Sequence, residues 1–440
     1  MTAPASAATP PEGMLALLLR PFVRLGPYER RAALLAFACN FILFASYYIL
    51  KPVRDTVATV FGVSDLQWLF TGTFVGTMIA SPVYSWLAAR LTLRRLLPGV
   101  FWFWLVNVLL FEALFHALPG SRWVGGAYYI WFSVVNLFMI SVFWSLMSDL
   151  FTAPQAQRLF AFIAAGGTTG AIAGPVVTRL AVHALGLGGL LLIAAAGFIV
   201  VIAFVHLLMR EKERLRAAGE EVQVTTLDHG LKGGSFAGFL ALMRGAYARR
   251  QAAFMLLMTW VNTIAYFLQT DVIARGFPTV EGRAVAIADI SLVVNILSAL
   301  ILTLGVGRYV QRFGVTAALV ANPVIMLAAF AALALSPTLF MIQVLRIAGP
   351  VSQYAIARPS REICFTVVPQ EDRYRSKNVI DTVVYRFGDL VSAWMQKGLA
   401  VLGLGLTGSC AAGVGFCALW GMAALMLGKR YEQLRAQLPQ

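Results

Sequence analysis

Apolar residues run along this chain in stretches of about twenty or more, each long enough to cross a hydrocarbon layer as a helix, separated by short segments rich in arginine and lysine. About twelve spans are predicted, near residues 31–58, 65–89, 96–118, 123–150, 158–182, 186–209, 251–275, 284–307, 314–335, 338–358, 377–402 and 408–428. The only long polar interruption, Arg210–Arg250, falls at mid-chain and divides six spans from six. The pattern therefore predicts an all-α polytopic membrane protein. Its parts are a cytoplasmic amphipathic tail over 1–28, a six-helix bundle over 29–209, a cytoplasmic loop over 210–250, a second six-helix bundle over 251–430 and a cytoplasmic tail over 431–440.

Charge fixes the expected orientation. Lys and Arg collect in the tail up to Arg31 and in Arg90–Arg95, Arg210–Arg250, Arg308–Arg312, Arg358–Lys377 and Lys429–Arg435. The alternate loops keep only Arg122, Arg275, Arg283 and Arg179. Basic loops face the cytoplasm, which places both termini inside a bacterial-type inner membrane. The net charge of +15 is thus explained without nucleic acid, and a content of 59% hydrophobic against 12% charged residues excludes a soluble domain. Cys39, Cys364, Cys410 and Cys417 show no metal-ligand or redox spacing, so no metal or cofactor is expected. His116, His183, His206 and His229 are scattered without acidic or cysteine partners, and no phosphate-loop motif is present. These absences argue against a membrane enzyme.

Charges inside the spans carry the candidate chemistry. In Tyr47–Val57, Y-Y-I-L-K-P-V-R-D-T-V, Lys51, Arg54 and Asp55 stand at i, i+3 and i+4 and share one helix face, with Pro52 loosening the backbone beside them. If the first helix ends near Leu50, these charges are merely hydrated in a loop. If it continues to about Phe61, they lie within the membrane and require a cavity and a partner. Span ten contributes Arg346, with no acidic neighbour in its own helix; it meets either a substrate anion or a fixed bridge, with Glu112 or Asp389 as candidates. Span eleven carries Arg386, Asp389 and Lys397, where Arg386 and Asp389 at i, i+3 suit a structural ion pair as well as a gate, and snorkelling to the outer interface is the alternative for Lys397. Cations outnumber carboxylates in this set, which predicts a small organic anion as the partner. Asp149, Arg158, Glu362, Arg373 and Arg375 occupy matching places near the cytoplasmic side and are expected to form gate or loop ion pairs. Gly166, Gly170 and Gly174 at strict four-residue spacing predict a smooth ridge for close helix approach.

The two sets of spans echo each other. Phe151-Thr152-Ala153-Pro154-Gln155 precedes span five and Phe365-Thr366-Val367-Val368-Pro369-Gln370 precedes span eleven, each followed by a basic segment. Two related six-helix bundles resemble the architecture of the major facilitator transporters, whose substrate site lies between the halves. Three stretches, Tyr47–Val57, Phe143–Pro175 and Ser376–Asp389, further resemble the ATP/ADP translocase family of nucleotide exchangers. The resemblance implies exchange of a nucleotide or other phosphorylated metabolite by a monomer in the lipid bilayer. The family's basic residue before Asp-Thr in span one falls on Arg54, followed by Asp55 and Thr56. The lysine of its Gly-Lys pair in span eleven falls on Asp389, after Gly388, and its acid in span four has no counterpart before Asp149. A carboxylate or peptide-like solute remains an alternative substrate, and a receptor or scaffold an alternative role.

Overall fold

The computed structural model describes residues 29–217, 242–243, 245–304, 306–368, 376–377 and 379–437. The expected amphipathic tail over 1–28 and most of the loop 210–250 lie outside these residues, as do Arg373 and Arg375. The chain is a succession of long antiparallel helices. The first four are α1 (Arg30–Phe61), α2 (Leu66–Arg90), α3 (Leu93–Ala117) and α4 (Arg122–Leu150). The run Ala153–Ala217 holds two helices, α5 (153–185) and α6 (187–217), parted at Gly186, whose φ of 64° a side chain would resist. Then follow α7 (Ala246–Gly276), α8 (Val280–Leu304) and α9 (Val306–Leu335), the last bent at Gly314.

Two helices are not uniformly α. In α10, Leu339–Ser352 passes through a π-helical turn at Gln353–Ala357 into Arg358–Cys364. α11 enters through a second π-helical turn, Ile380–Val384, and continues over Tyr385–Val401. α12 spans Gly405–Ala436. Among the described residues, nine helical runs are long and apolar enough to cross a membrane, and the run 153–214 suffices for two crossings. α2 and α11 fall outside that count because the first is rich in Gly and Thr and the second carries charge.

Helix one does not end near Leu50. It continues to Phe61 and is packed along most of its length between α5 and α6. The glycine ridge of α5 makes this possible. A methyl group on Gly166 would lie 2.4 Å from the Phe37 carbonyl oxygen, and one on Gly170 would lie 2.1 Å from that of Phe41. One on Gly174 would lie 2.7 Å from that of Ala45, and from α6 one on Gly197 would meet the Ser46 hydroxyl at 2.0 Å. Only a bare backbone permits such contact.

The largest apolar core unites residues of α1–α6 with Tyr266, Phe267, Ala284 and Ala393. A second core is confined to residues 242–431. Contacts between the two sets of six helices run chiefly through α5 on α8, α2 on α11, and α1 on α7 and α8. All helix ends carrying the basic segments fall at one end of the bundle, here called the basic end.

Candidate functional site

Pro52 cannot donate a helical hydrogen bond, yet α1 passes through it and delivers Lys51, Arg54 and Asp55 to a cavity of about 200 Å³ between the two sets of helices. Arg346 from α10 and Arg386 and Asp389 from α11 line the same cavity. Six of the seven residues anticipated as substrate-binding therefore converge although they are up to 338 positions apart (51 to 389). The seventh, Lys397, does not belong to this group. It sits nearer the far end of α11, two turns beyond Asp389, and donates to the Ser64 carbonyl oxygen at 3.1 Å. Helical spacing placed it on the right side of α11 but at the wrong depth.

The two carboxylates of the cavity are held differently. Asp55 is 4% exposed and accepts from the Lys51 ammonium at 3.3 Å, the Arg54 Nε at 2.9 Å and the Tyr266 hydroxyl at 3.1 Å, and from a second Arg54 nitrogen. Its Oδ1 takes three of these donors and its Oδ2 the Lys51 ammonium. Lys51 also donates to the Ser291 hydroxyl of α8 at 3.2 Å, and Arg54 lies over the Tyr129 ring, 5.2 Å from its centroid. Asp389 accepts one hydrogen bond, from Thr263 at 3.0 Å, and its ion pair with Arg386 is 3.6 Å long. Arg386 spends another nitrogen on the Ser133 carbonyl oxygen of α4 at 2.7 Å.

Arg346 differs from all of these. It lies 5.6 Å from the Tyr266 ring centroid and, as in Arg386, its Nε has no hydrogen-bond partner, but among the described residues it alone of the four cavity cations forms no ion pair. Neither Glu112 nor Asp389 bridges it. The lining thus holds four cations against two carboxylates, a formal excess of two positive charges.

Much of the remaining lining was not anticipated. The tyrosines 48, 129, 266, 354 and 385 and the amides Asn262 and Gln353 face the cavity, with the Asn262 amide donating to the Gln353 side-chain oxygen at 3.0 Å. The available signal was their polarity inside apolar spans. Gln353 opens the π-helical turn of α10, and Tyr385 and Arg386 follow directly on that of α11. Such turns, with one residue more than an α turn, recur at functional sites.

The expected gate residues pair within each set of helices. Asp149 bonds to Lys212, Arg158 bridges Glu29 at 3.0 Å, and Glu362 bridges Lys377 at 2.5 Å. Beside Glu362, the buried Arg361 pairs with Asp381 at 2.6 Å, a link between α10 and α11 that spacing did not suggest. None of these ties crosses between α1–α6 and α7–α12.

The crossing bonds lie elsewhere. At the level of the cavity, Asn295 donates to the Ala171 carbonyl oxygen at 2.6 Å. Toward the end opposite the basic one, Arg179 bridges Asp289 at 2.9 Å, Trp394 donates to the Thr71 hydroxyl at 3.1 Å and packs edge-on against Trp68, and Arg283 reaches Thr59 at 3.4 Å. All the crossing hydrogen bonds among the described residues occur from the middle of the bundle toward that opposite end. Among the described residues the two sets are therefore tied to each other there and not toward the basic end.

A charged cavity between two sets of membrane-crossing helices, with residues of both sets in its lining, suits a solute transporter. The family model described as Major Facilitator Superfamily matches residues 36–356, and the chain belongs to that family. Among curated proteins no sequence matches. Several solved structures share the fold. A bacterial homologue of the iron transporter ferroportin in an inward-facing state is similar at TM-score 0.66 and 11% identity, over 91% of this chain and 99% of that one. The nucleoside transporter NupG is similar at TM-score 0.60 and 14% identity, over 93% and 99%. The inward-open xylose transporter XylE from E. coli is similar at TM-score 0.62 and 12% identity, over 93% and 100%.

Proposed function

We propose that this transporter exchanges an organic anion, a nucleotide or another phosphorylated metabolite, across a bacterial-type inner membrane. The reading rests chiefly on Arg346, a cation in the cavity wall without an ion pair among the described residues, within a lining that carries two excess positive charges. A membrane cavity of that sign favours an anion, and arginine's planar fork suits phosphate oxygens. The three stretches similar to the ATP/ADP translocases point to the same class. By the bias of basic loops, the basic end and both termini are cytoplasmic, so the end where the two sets are tied together faces outward.

In this reading the anion enters from the cytoplasm and engages Lys51 and Arg54 of α1 together with Arg346 of α10. A solute held by both sets of helices draws their cytoplasmic ends together, while the outer contacts at Trp394, Arg179 and Arg283 part. Residues 29–209 and 251–430 then act as two bundles related by a pseudo-two-fold axis along the membrane normal. The test has two arms. Purified protein is melted with ATP, ADP, sugar phosphates, carboxylates and peptides, and the compounds that raise Tm are offered to protein in vesicles preloaded with the same compound. Counterflow of phosphorylated compounds is expected. Stabilisation and counterflow by carboxylates or peptides alone would remove the phosphate assignment.

A further inference from the structure

Two carboxylates share the cavity, and they are held to very different degrees. Asp55 accepts from two cations and a tyrosine, all within hydrogen-bond distance. Asp389, 9% exposed, has one neutral donor in Thr263 and a cation held beyond hydrogen-bond distance at 3.6 Å. That cation, Arg386, is anchored elsewhere by its bond to the Ser133 carbonyl oxygen on α4. The other charged or titratable groups near Asp389 are Arg54 from α1, Tyr129 from α4, Tyr266 from α7, one turn on from Thr263, and Tyr385 from its own helix. α2 contributes none at this depth, since its one charged residue, Arg90, ends the helix, and the charges of α12 begin at Lys429.

We propose that Asp389 is the coupling site of the transporter, binding one proton together with the substrate anion so that the two are carried in the same direction. This rests on the anion reading above and goes beyond exchange. The coupling follows from electrostatics. An anion drawn to Arg346, Arg54 and Arg386 competes with the Asp389 carboxylate for Arg386 and repels its negative charge. A proton on the Asp389 oxygen that faces Arg386 removes both effects and leaves that arginine free for the anion. By reciprocity, the anion favours the proton as much as the proton favours the anion. Thr263 remains bonded to the other oxygen, so the protonated side chain keeps a partner. No bond other than the acid O–H forms or breaks.

The decisive experiment measures protons. Detergent-solubilised protein in weak buffer with a pH indicator receives ADP, glucose 6-phosphate or inorganic phosphate, while binding is followed separately by the rise in Tm. Binding by the wild type should make the solution more alkaline by up to one proton per site. Asp389→Asn should show no such uptake whatever its affinity, whereas Asp271→Asn, which alters an exposed carboxylate paired with Arg275, should behave as the wild type. Binding without proton uptake, or uptake that persists in Asp389→Asn, would overturn the proposal while leaving the anion reading intact. If none of the probes binds, the anion reading fails, and the site is judged alone by infrared difference titration. A pH-dependent carboxylic acid band present in the wild type and missing from Asp389→Asn supports it, and identical spectra refute it. Should Asp389→Asn not fold, Asp389→Glu, which keeps the acid, must retain the wild type's uptake and band.

Discussion

Replacing Arg346 and Arg386 by leucine, one at a time, should change stability by very different amounts although both arginines line one cavity. Arg346 has no ion pair among the described residues and an unpartnered Nε, so the folded protein bears the desolvation of that group without return, about 1–3 kcal/mol. Its visible compensation is the Tyr266 ring at 5.6 Å, a contact of about 2 kcal/mol where the pair is desolvated. The two nearly cancel, which predicts that Arg346→Leu leaves the empty protein within about 1 kcal/mol of the wild type, on the order of 2 °C in Tm. Arg386 neutralises Asp389, and its removal strands a buried carboxylate, which costs about 3–5 kcal/mol. Arg386→Leu should therefore melt several degrees below the wild type. Both variants should lose the stabilisation conferred by anions. The assay is thermal unfolding of purified protein in detergent, with and without ADP. Equal loss of Tm in the two variants would show that Arg346 serves as a structural bridge, and a retained ADP response in Arg346→Leu would remove it from the binding site.

Gly170→Ala should cost about 1–3 kcal/mol by forcing α5 off the Phe41 carbonyl. Gly415→Ala, a helical position with nothing within 4 Å, should be neutral or stabilising, and equal melting of the two variants would contradict the close α1–α5 contact. Arg54→Ala should abolish uptake into vesicles and also lower Tm, because it leaves the buried Asp55 to Lys51 and Tyr266 alone, and Arg54→Lys should restore only part of the uptake, because charge survives and the fork does not. If Arg54 and Arg346 grip one anion, the double alanine variant should lose less binding energy than the two singles summed, by about 1 kcal/mol or more, and strict additivity would separate them. Cysteines at Thr71→Cys and Trp394→Cys, joined by a disulfide or a short bifunctional reagent, should stop turnover. The four native cysteines are buried and need not be removed, and uptake unaffected by the cross-link would show that this end does not open.

The spans were legible because a membrane leaves the backbone one solution, and their ends fall within a few residues of the apolar boundaries. The glycine ridge was legible because four-residue spacing is a face of a helix. Whether Lys51 and Arg54 are loop or membrane charges was not, since Pro52 and a run of charge can end a helix as readily as furnish a site. What settles the matter is burial of α1 against α5 and α6, a tertiary fact. Lys397 shows the complementary failure. Its wheel position matches Asp389, but depth along α11 is set by where the helix meets its neighbours, and there Lys397 reaches the carbonyl of Ser64. Arg361 escaped notice because it sits in a polar stretch that reads as loop until α10 is seen to run on to Cys364.

The π-helical turns of α10 and α11 make the two walls of the cavity mechanically unlike. α1 presents Arg54 from a rod seated backbone to backbone on α5, so its cations move only as the whole first set moves. Gln353 and Tyr385 sit on or beside turns wound one residue looser than their surroundings, and the return of such a turn to α geometry shifts the following register by one position, about 1.5 Å and a quarter turn or slightly more. Aromatic and amide groups can thus be re-aimed at a solute without displacing the helices that carry them. The first wall acts as a fixed anvil for charge, and the second as an adjustable jaw that fits itself to whatever the charge has captured.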